Sequence, residues 1–216
     1  MDMQSARNQM VQQQVRAWDV LDLRVLTVLE NLPREQFVPP RLRNLAYADT
    51  NIPLGHGEVM MTPKLEGRVL QALNPQSSES ALEVGTGSGF LAACLSKLAG
   101  EVLSLEIHPD FTAAAGRTLN GLGLRNVKLE TRDGTQLEGL QRFDVIAVTG
   151  SLPVYDRVYQ EHLQVGGRLF VIVGRSPVME ALLVTRVAED AWSRESLFET
   201  DLPALQNAPA PRSFQF

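Results

Sequence analysis

Glycines and acidic residues that could hold a nucleoside are spaced along the middle of this 216-residue chain. The stretch ALEVGTGSGF places Gly85, Gly87 and Gly89 directly after an apolar run. Glycine lets a backbone turn approach a ligand closely, because it has no side chain and accepts positive φ angles. In an open α/β sheet such a turn follows a strand and lies where ligands bind. The stretch therefore predicts a nucleotide-type site.

Three acidic residues accompany the glycine turn. Glu83 precedes it, Glu106 ends the apolar run EVLSLE, and Asp133 follows the run VKLET. One carboxylate can accept hydrogen bonds from both hydroxyls of a ribose, and a nucleoside without phosphates needs no lysine or arginine. We expect the ends of three strands to converge on one ligand.

The elements that must position these residues alternate between strand and helix. Between residues 80 and 173, short apolar runs are separated by segments of helical periodicity, a pattern typical of βαβ units. Such units form a parallel sheet with helices on both faces. We predict an α/β fold, Rossmann-like and doubly wound, with a mostly parallel sheet. The runs LLVTRVAED and WSRESLFETDL predict two further strands, with an antiparallel pair at the sheet edge as one arrangement.

The chain before this region has a different pattern. Residues 4–17 and 22–32 carry apolar positions at helical spacing. We predict a small helical N-terminal lobe with a substrate loop over residues 1–62, and a cofactor-binding domain with C-terminal edge strands over residues 63–216.

Two segments fit no regular pattern. The stretch LGHGEVMMTPK, residues 54–64, matches neither helix nor strand periodicity up to Pro63, which suits the first position of a helix. We expect a lid or a substrate clamp there. The Pro-rich ending LPALQNAPAPRSFQF is expected to extend over the surface.

Composition excludes several classes of partner. The formal net charge of −5 would repel nucleic acid. The N-terminus lacks the apolar core of a signal peptide, and no apolar run approaches the roughly 20 residues of a membrane span. The only cysteine, Cys94, lies in an apolar helical pattern and suits a buried thiol in a reducing cytoplasm. His56, His108 and His162 lack the paired spacing of a zinc site, so no metal is expected.

The glycine turn together with the acids before and after it resembles the class I S-adenosylmethionine-dependent methyltransferases. That resemblance implies that Glu106 holds the ribose and that Asp133 accepts a hydrogen bond from the adenine amino group. A dinucleotide oxidoreductase is the alternative, but Phe90 occupies the place of the third glycine in its fingerprint. The cofactor-binding residues that the resemblance implies are Glu83, Gly85, Thr86, Gly87, Gly89, Glu106, Ile107, Asp133 and Gly134.

A narrower resemblance covers almost the whole chain. The region from MVQQQVRAWDV to NIPLGHG is similar to the N-terminal region of the protein-L-isoaspartate O-methyltransferases, and FDVIAVTGSLP and LQVGGRLFVIVG continue the similarity. The resemblance implies methyl transfer to the free carboxylate of an isoaspartyl residue in a protein or peptide. His56 and Gly57 match the family's GHG turn.

The loop after this turn departs from the family. A Gln-Thr-Ile-Ser-Gln-Pro-like run is usual there, whereas this chain has EVMMTP. Met61 replaces the serine that lies against the reacting centre, and Glu58 adds a charge that repels an anionic acceptor. Thr62 and His56 are the remaining candidates for catalytic residues, although His56 could also serve only the turn. We therefore predict weak or absent isoaspartyl methylation.

Two other functions fit the altered loop. The acceptor could be a small-molecule carboxylate instead of a protein. The chain could also be a non-catalytic homologue that keeps the fold and the cofactor site as a binding module. Cofactor binding without methyl transfer to any acceptor would distinguish this second alternative from an enzyme.

Overall fold

The computed structural model describes residues 3–210. Its α-helices are α1 Met3–Met10, α2 Leu23–Asn31, α3 Pro63–Leu73, α4 Phe90–Leu98, α5 Pro109–Gly121 and α6 Arg157–Glu161. Its strands are β1 Ile52–Gly55, β2 Glu58–Met60, β3 Ser80–Val84, β4 Glu101–Glu106, β5 Val127–Thr131, β6 Phe143–Leu152, β7 Leu163–Arg175, β8 Val178–Ala188 and β9 Ala191–Thr200.

Strands β3 to β9 form one seven-stranded sheet in the order β5-β4-β3-β6-β7-β8-β9. The pairs β5–β4, β4–β3, β3–β6 and β6–β7 are parallel. The pairs β7–β8 and β8–β9, at one edge of the sheet, are antiparallel. The predicted α/β fold with its mostly parallel sheet is confirmed, and so is the antiparallel edge pair. Within the described residues, no helix has the length and apolar character needed to cross a membrane.

Alternating residues of the central strands bury opposite faces of the sheet. Ala81 of β3 belongs to one apolar cluster, and its neighbour Leu82 belongs to the other. The period of two follows from the pleat of a strand. Helices α3, α4 and α5 cover the first face, and Tyr159 of α6 packs on the second. Cys94 of α4 is buried in the first cluster, as predicted.

The N-terminal lobe packs onto the face that α3 and α4 cover. The predicted helical segment over residues 4–17 is divided in the structure. Helix α1 ends at Met10, and a π turn over Val11–Val15 and a 3-10 turn over Arg16–Trp18 follow it. Met10 and Leu29 lie in the same apolar cluster as the sheet. The division of the chain after residue 62 stays a prediction.

The stretch that matched neither periodicity contains a β-hairpin, so the expectation of an irregular loop is wrong. Strands β1 and β2 pair antiparallel around the turn Gly55-His56-Gly57, and all three turn residues have positive φ angles. Each strand is too short for periodicity to reveal it. Thr62 then accepts a hydrogen bond from the Leu65 amide and caps α3.

A buried arginine ties the lobe to this hairpin. Arg34 is 0% exposed, and its guanidinium donates to the carbonyls of Ala46 and Met61 at 2.8 and 2.6 Å. It also forms an ion pair with Glu66 of α3 and lies over the Phe90 ring of α4. Burial raises the pKa of Glu66 to about 7, against the opposing effect of the Arg34 charge. One side chain thus fixes four segments.

The C-terminal segment packs against the sheet. Ala204 forms a parallel bridge to Ser151 at the end of β6, and Leu202 is buried. The Ser151 amide donates to the Pro203 carbonyl, and the Leu205 amide donates to the Ser151 carbonyl. The predicted surface extension is wrong for this part, while residues 211–216 lie outside the described part of the chain.

Replacing Arg34 tests its role in stability. We expect Arg34→Met to lower the free energy of unfolding by about 3–5 kcal/mol, because Glu66 and two carbonyls lose a buried partner. Arg34→Met with Glu66→Met should recover part of this loss. Urea denaturation measures both, with the exposed Arg43→Met as the control. A loss below about 1 kcal/mol for Arg34→Met, the range of surface ion pairs, would contradict the account.

Candidate active site

A cavity that is open to solvent lies at the carboxyl ends of β3, β4 and β6. The strand order reverses at β3, which has β4 on one side and β6 on the other. Ligands of open α/β sheets bind at such a switch point. The cavity therefore lies where the sequence placed the nucleotide-type site.

Glu106 at the end of β4 is an acid of this cavity that backbone amides hold in one orientation. Its Oε2 accepts from the Gly87 amide at 2.7 Å, and its Oε1 accepts from the His108 amide at 2.9 Å. These two bonds hold the carboxylate in the cavity wall, and each oxygen keeps a lone pair for another donor. The geometry suits two neighbouring hydroxyls of a ribose.

Asp133, Gly134 and Ile107 line the same cavity. Burial acts to raise the pKa of Asp133, but hydrogen bonds from Thr135 and Asn207 outweigh it and hold the pKa below its usual value. A side chain at Gly134 would collide with Val84 of β3, so only glycine lets the chain pass there. Carboxylate, apolar side chain and bare backbone together suit a flat base.

A second, smaller cavity adjoins the glycine turn. Glu83, Thr86 and Met61 line it, and Gly85 and Gly87 belong to both cavities. Glu83 is fully buried, and its Oε2 accepts from the Ser104 hydroxyl. Its Oε1 has no hydrogen-bond partner among the described residues. Burial raises the pKa of Glu83 to about 8, Ser104 opposes the change, and the charge of Glu106 adds to it.

Three of the sequence-predicted residues lie elsewhere. Gly89 is the N-cap of α4 with φ of 83°, and a side chain there would meet Ala115 of α5, so this glycine serves helix packing. Thr62 caps α3 and belongs to neither cavity wall. His56 lies at the hairpin tip, with its ring stacked on His108. Their catalytic or binding roles stay predictions.

Two other wall residues, Thr149 and Gln206, were not predicted from the sequence. The Thr149 hydroxyl donates to the Gly85 carbonyl at 2.6 Å, and its position at the end of an apolar run could have indicated it. Gln206 donates to Glu58 Oε1 at 3.0 Å, and its amide lies 3.0 Å from His108 Nε2. No pattern in the Pro-rich tail marks Gln206.

The residues of both cavities fit S-adenosylmethionine. Among the described residues, the two walls contain five acidic side chains and neither lysine nor arginine. Glu66 is paired with Arg34, and burial raises the pKa of Glu83 to about 8, so the negative charge of the walls comes mainly from Glu58, Glu106 and Asp133. Such walls repel the phosphates of a dinucleotide and attract a cationic ligand. The cofactor has no phosphate, and its sulfonium, ammonium and carboxylate groups together give it a net positive charge. The buried, unpartnered oxygen of Glu83 is a matching acceptor for a cation.

The fold and this acidic, phosphate-excluding site define a class I S-adenosylmethionine-dependent methyltransferase. Residues 5–200 match the family description Protein-L-isoaspartate(D-aspartate) O-methyltransferase. The chain belongs to this family. The dinucleotide oxidoreductase is thereby excluded, and no comparison favours a non-catalytic binding module.

Curated relatives agree with the family, and a solved structure shares the fold. Protein-L-isoaspartate O-methyltransferase 2 of Marinobacter nauticus is 36% identical over 197 residues, which cover 90% of each chain. Protein-L-isoaspartate O-methyltransferase 1 of Rhodopseudomonas palustris is 34% identical and covers 96% of this chain and 88% of its own length. A Plasmodium falciparum protein crystallised with S-adenosyl-L-homocysteine has a TM-score of 0.79 at 18% identity, covering 95% of this chain and 99% of its own.

Removing the oriented acid tests the ribose site. We expect Glu106→Ala to weaken S-adenosylhomocysteine binding by about 1–3 kcal/mol, because two hydroxyls lose a charged acceptor. Titration calorimetry measures the affinity. Glu101→Ala is the matched control, since Glu101 lies exposed at the opposite end of the same strand. Equal affinities for Glu106→Ala and wild type would remove Glu106 from the site.

The buried Glu83 predicts a pH dependence of stability. Its pKa rises from 4.5 to about 8 on folding, so the folded state keeps a proton that the unfolded state loses within this window. The stability that protonated Glu83 contributes to the folded state is fully present below pH 4.5 and is lost as the pH rises towards 8. Melting temperatures should therefore fall more steeply with pH for wild type than for Glu83→Gln. Parallel curves for the two proteins would show that Glu83 ionises normally.

Proposed function

We propose that this methyltransferase forms a methyl ester on a carboxylate of a protein or peptide, with an isoaspartyl side chain as the acceptor. One observation carries the proposal: β2 forms a wall of the cofactor cavity, with Glu58 and Val59 in the larger cavity and Met61, directly after the strand, in the smaller one. An acceptor that enters past the hairpin meets the place where the acidic walls hold the cofactor. The names of the curated relatives support the isoaspartyl acceptor.

Methyl transfer to a carboxylate requires no acid or base from the protein's side chains. When bound, S-adenosylmethionine supplies a methyl group on a positively charged sulfur. A carboxylate is already an ionised nucleophile, so no general base is needed, and positioning and exclusion of water carry the catalysis. The apolar side chains of Met60 and Met61 are buried beside the glycine turn and limit access of water.

Two side chains in the hairpin region work against an anionic acceptor. Met61 offers no hydroxyl to a carboxylate. Glu58 lies at the mouth of the larger cavity, where Gln206 holds its carboxylate in place. A like charge about 5 Å away costs about 3 kcal/mol at an effective dielectric near 20, before screening by solvent. We therefore propose slow isoaspartyl transfer by this chain.

Thr62 is poorly placed to replace the missing serine. Its side-chain oxygen accepts a hydrogen bond from the Leu65 amide, and it lies outside both cavity walls. A shift of the loop that brought the hydroxyl inward would uncap α3. The backbone of the loop is also held, because Arg34 donates to the Met61 carbonyl. We therefore expect that replacing Met61 with serine leaves the loop backbone where it is.

The hairpin variants test this proposal. We expect Glu58→Gln with Met61→Ser to exceed wild type in transfer of radiolabelled methyl groups to an isoaspartyl peptide, by up to about a hundredfold in substrate affinity. Either single substitution should give less. The matched control is Glu58→Gln with Met60→Ser, which adds a hydroxyl one residue away.

Three outcomes decide between the acceptors. Label on the isoaspartyl peptide but not on its aspartyl isomer, released as methanol by mild base, supports the proposal. Rapid isomer-selective transfer by the unmodified protein would show that the loop substitutions do not slow the reaction. Transfer to small carboxylates alone would replace the protein acceptor with a small molecule.

A further inference from the structure

Two of the three histidines of this chain stack on each other, and one of them, His108, lines the cofactor cavity. His56 lies at the tip of the β1–β2 hairpin, and His108 immediately precedes α5. Their rings are stacked with centroids 4.1 Å apart, and Asp110 of α5 lies beside them. Histidines separated by 52 positions carry no ligand spacing in the sequence, which is why the sequence indicated no metal site.

We propose that His56, His108 and Asp110 bind a divalent transition-metal ion, with zinc as the best match. One ligand atom from each residue lies within 4.8 Å of the other two. The His56 Nε2 and Asp110 Oδ2 atoms are 3.1 Å apart. Tetrahedral zinc with bonds of 2.0–2.1 Å requires ligand atoms about 3.3 Å apart, so a small movement of this hydrogen-bonded pair would admit one ion.

The surroundings hold one ring and leave the other free to adjust. Phe111 packs edge-on against both imidazoles, with centroid distances of 5.3 Å. The His108 side chain is 15% exposed and that of His56 is 46% exposed. Because the ring planes differ by only 9°, a metal in the plane of one ring lies outside the plane of the other. Binding therefore requires His56 to rotate, and its exposure permits this.

The backbone conformation of His56 is unusual for a histidine. Its φ angle is 53°, a left-handed conformation that suits glycine or asparagine better than histidine. The flanking Gly55 and Gly57 also have positive φ angles, with values of 131° and 84°. The turn thus presents an imidazole to α5 at a position where a smaller residue would fit the backbone. A bound ion would clamp the substrate-side hairpin to the cofactor-binding sheet.

Titration of the intact protein with Zn²⁺ and with Co²⁺ tests this site, independently of methyl transfer. We expect one equivalent to bind, with visible absorption of the Co²⁺ complex that Zn²⁺ abolishes. His56→Gln and Asp110→Asn should each weaken binding by at least about tenfold. His162→Gln is the matched control, because His162 is the remaining histidine and bonds instead to the Val158 carbonyl.

Imidazole NMR spectra of the unmodified protein give a readout that needs no variant. Addition of Zn²⁺ should shift the resonances of two histidines and leave those of His162 unchanged. The proposal is wrong if no binding occurs up to about 100 µM Zn²⁺. It is equally wrong if His56→Gln binds as tightly as wild type, or if His162→Gln loses binding to the same extent.

Discussion

The buried ion pair between Arg34 and Glu66 is the constraint on which the rest of the site depends. The guanidinium is removed from water and holds a carboxylate of α3 and the carbonyls of Ala46 and Met61. Burying such a charge is costly unless every donor has an acceptor. Few other residues could therefore replace Arg34 or Glu66 without leaving a buried charge unpaired. It fixes the hairpin with the two methionines against the glycine turn. The wall that faces an acceptor is therefore set by a residue of the N-terminal lobe.

In the cofactor cavity, the backbone orients a key carboxylate, and side chains set the charge of the walls. Backbone amides of Gly87 and His108 orient Glu106, and the fold's own side chains require glycine at positions 85 and 134. The acidic walls then select a cationic ligand without phosphates. By contrast, the acceptor side that we propose is formed by Glu58, Met61 and Gln206, which lie outside the seven-stranded sheet. An altered acceptor preference can therefore evolve on an unaltered cofactor site.

Sequence patterns predicted the sheet, and they placed a glycine turn and acidic residues at its strand ends, because both depend on local rules. Strand and helix periodicities are strong between residues 80 and 173, and a glycine turn after a buried strand indicates a close approach of the backbone to a ligand. The hairpin escaped because its strands have four and three residues, too few for a period of two to appear. Arg34, Gln206 and the contact between His56 and His108 depend on segments far apart in the chain. No single-sequence pattern can reveal such contacts.

A crystal structure with S-adenosylhomocysteine bound is the most direct test of this account. The account predicts that the ribose hydroxyls bind Glu106, that the adenine lies between Ile107 and Gly134 with its amino group at Asp133, and that the sulfur faces Met61. Binding elsewhere, or a pose in which the sulfur points away from the hairpin, would contradict it.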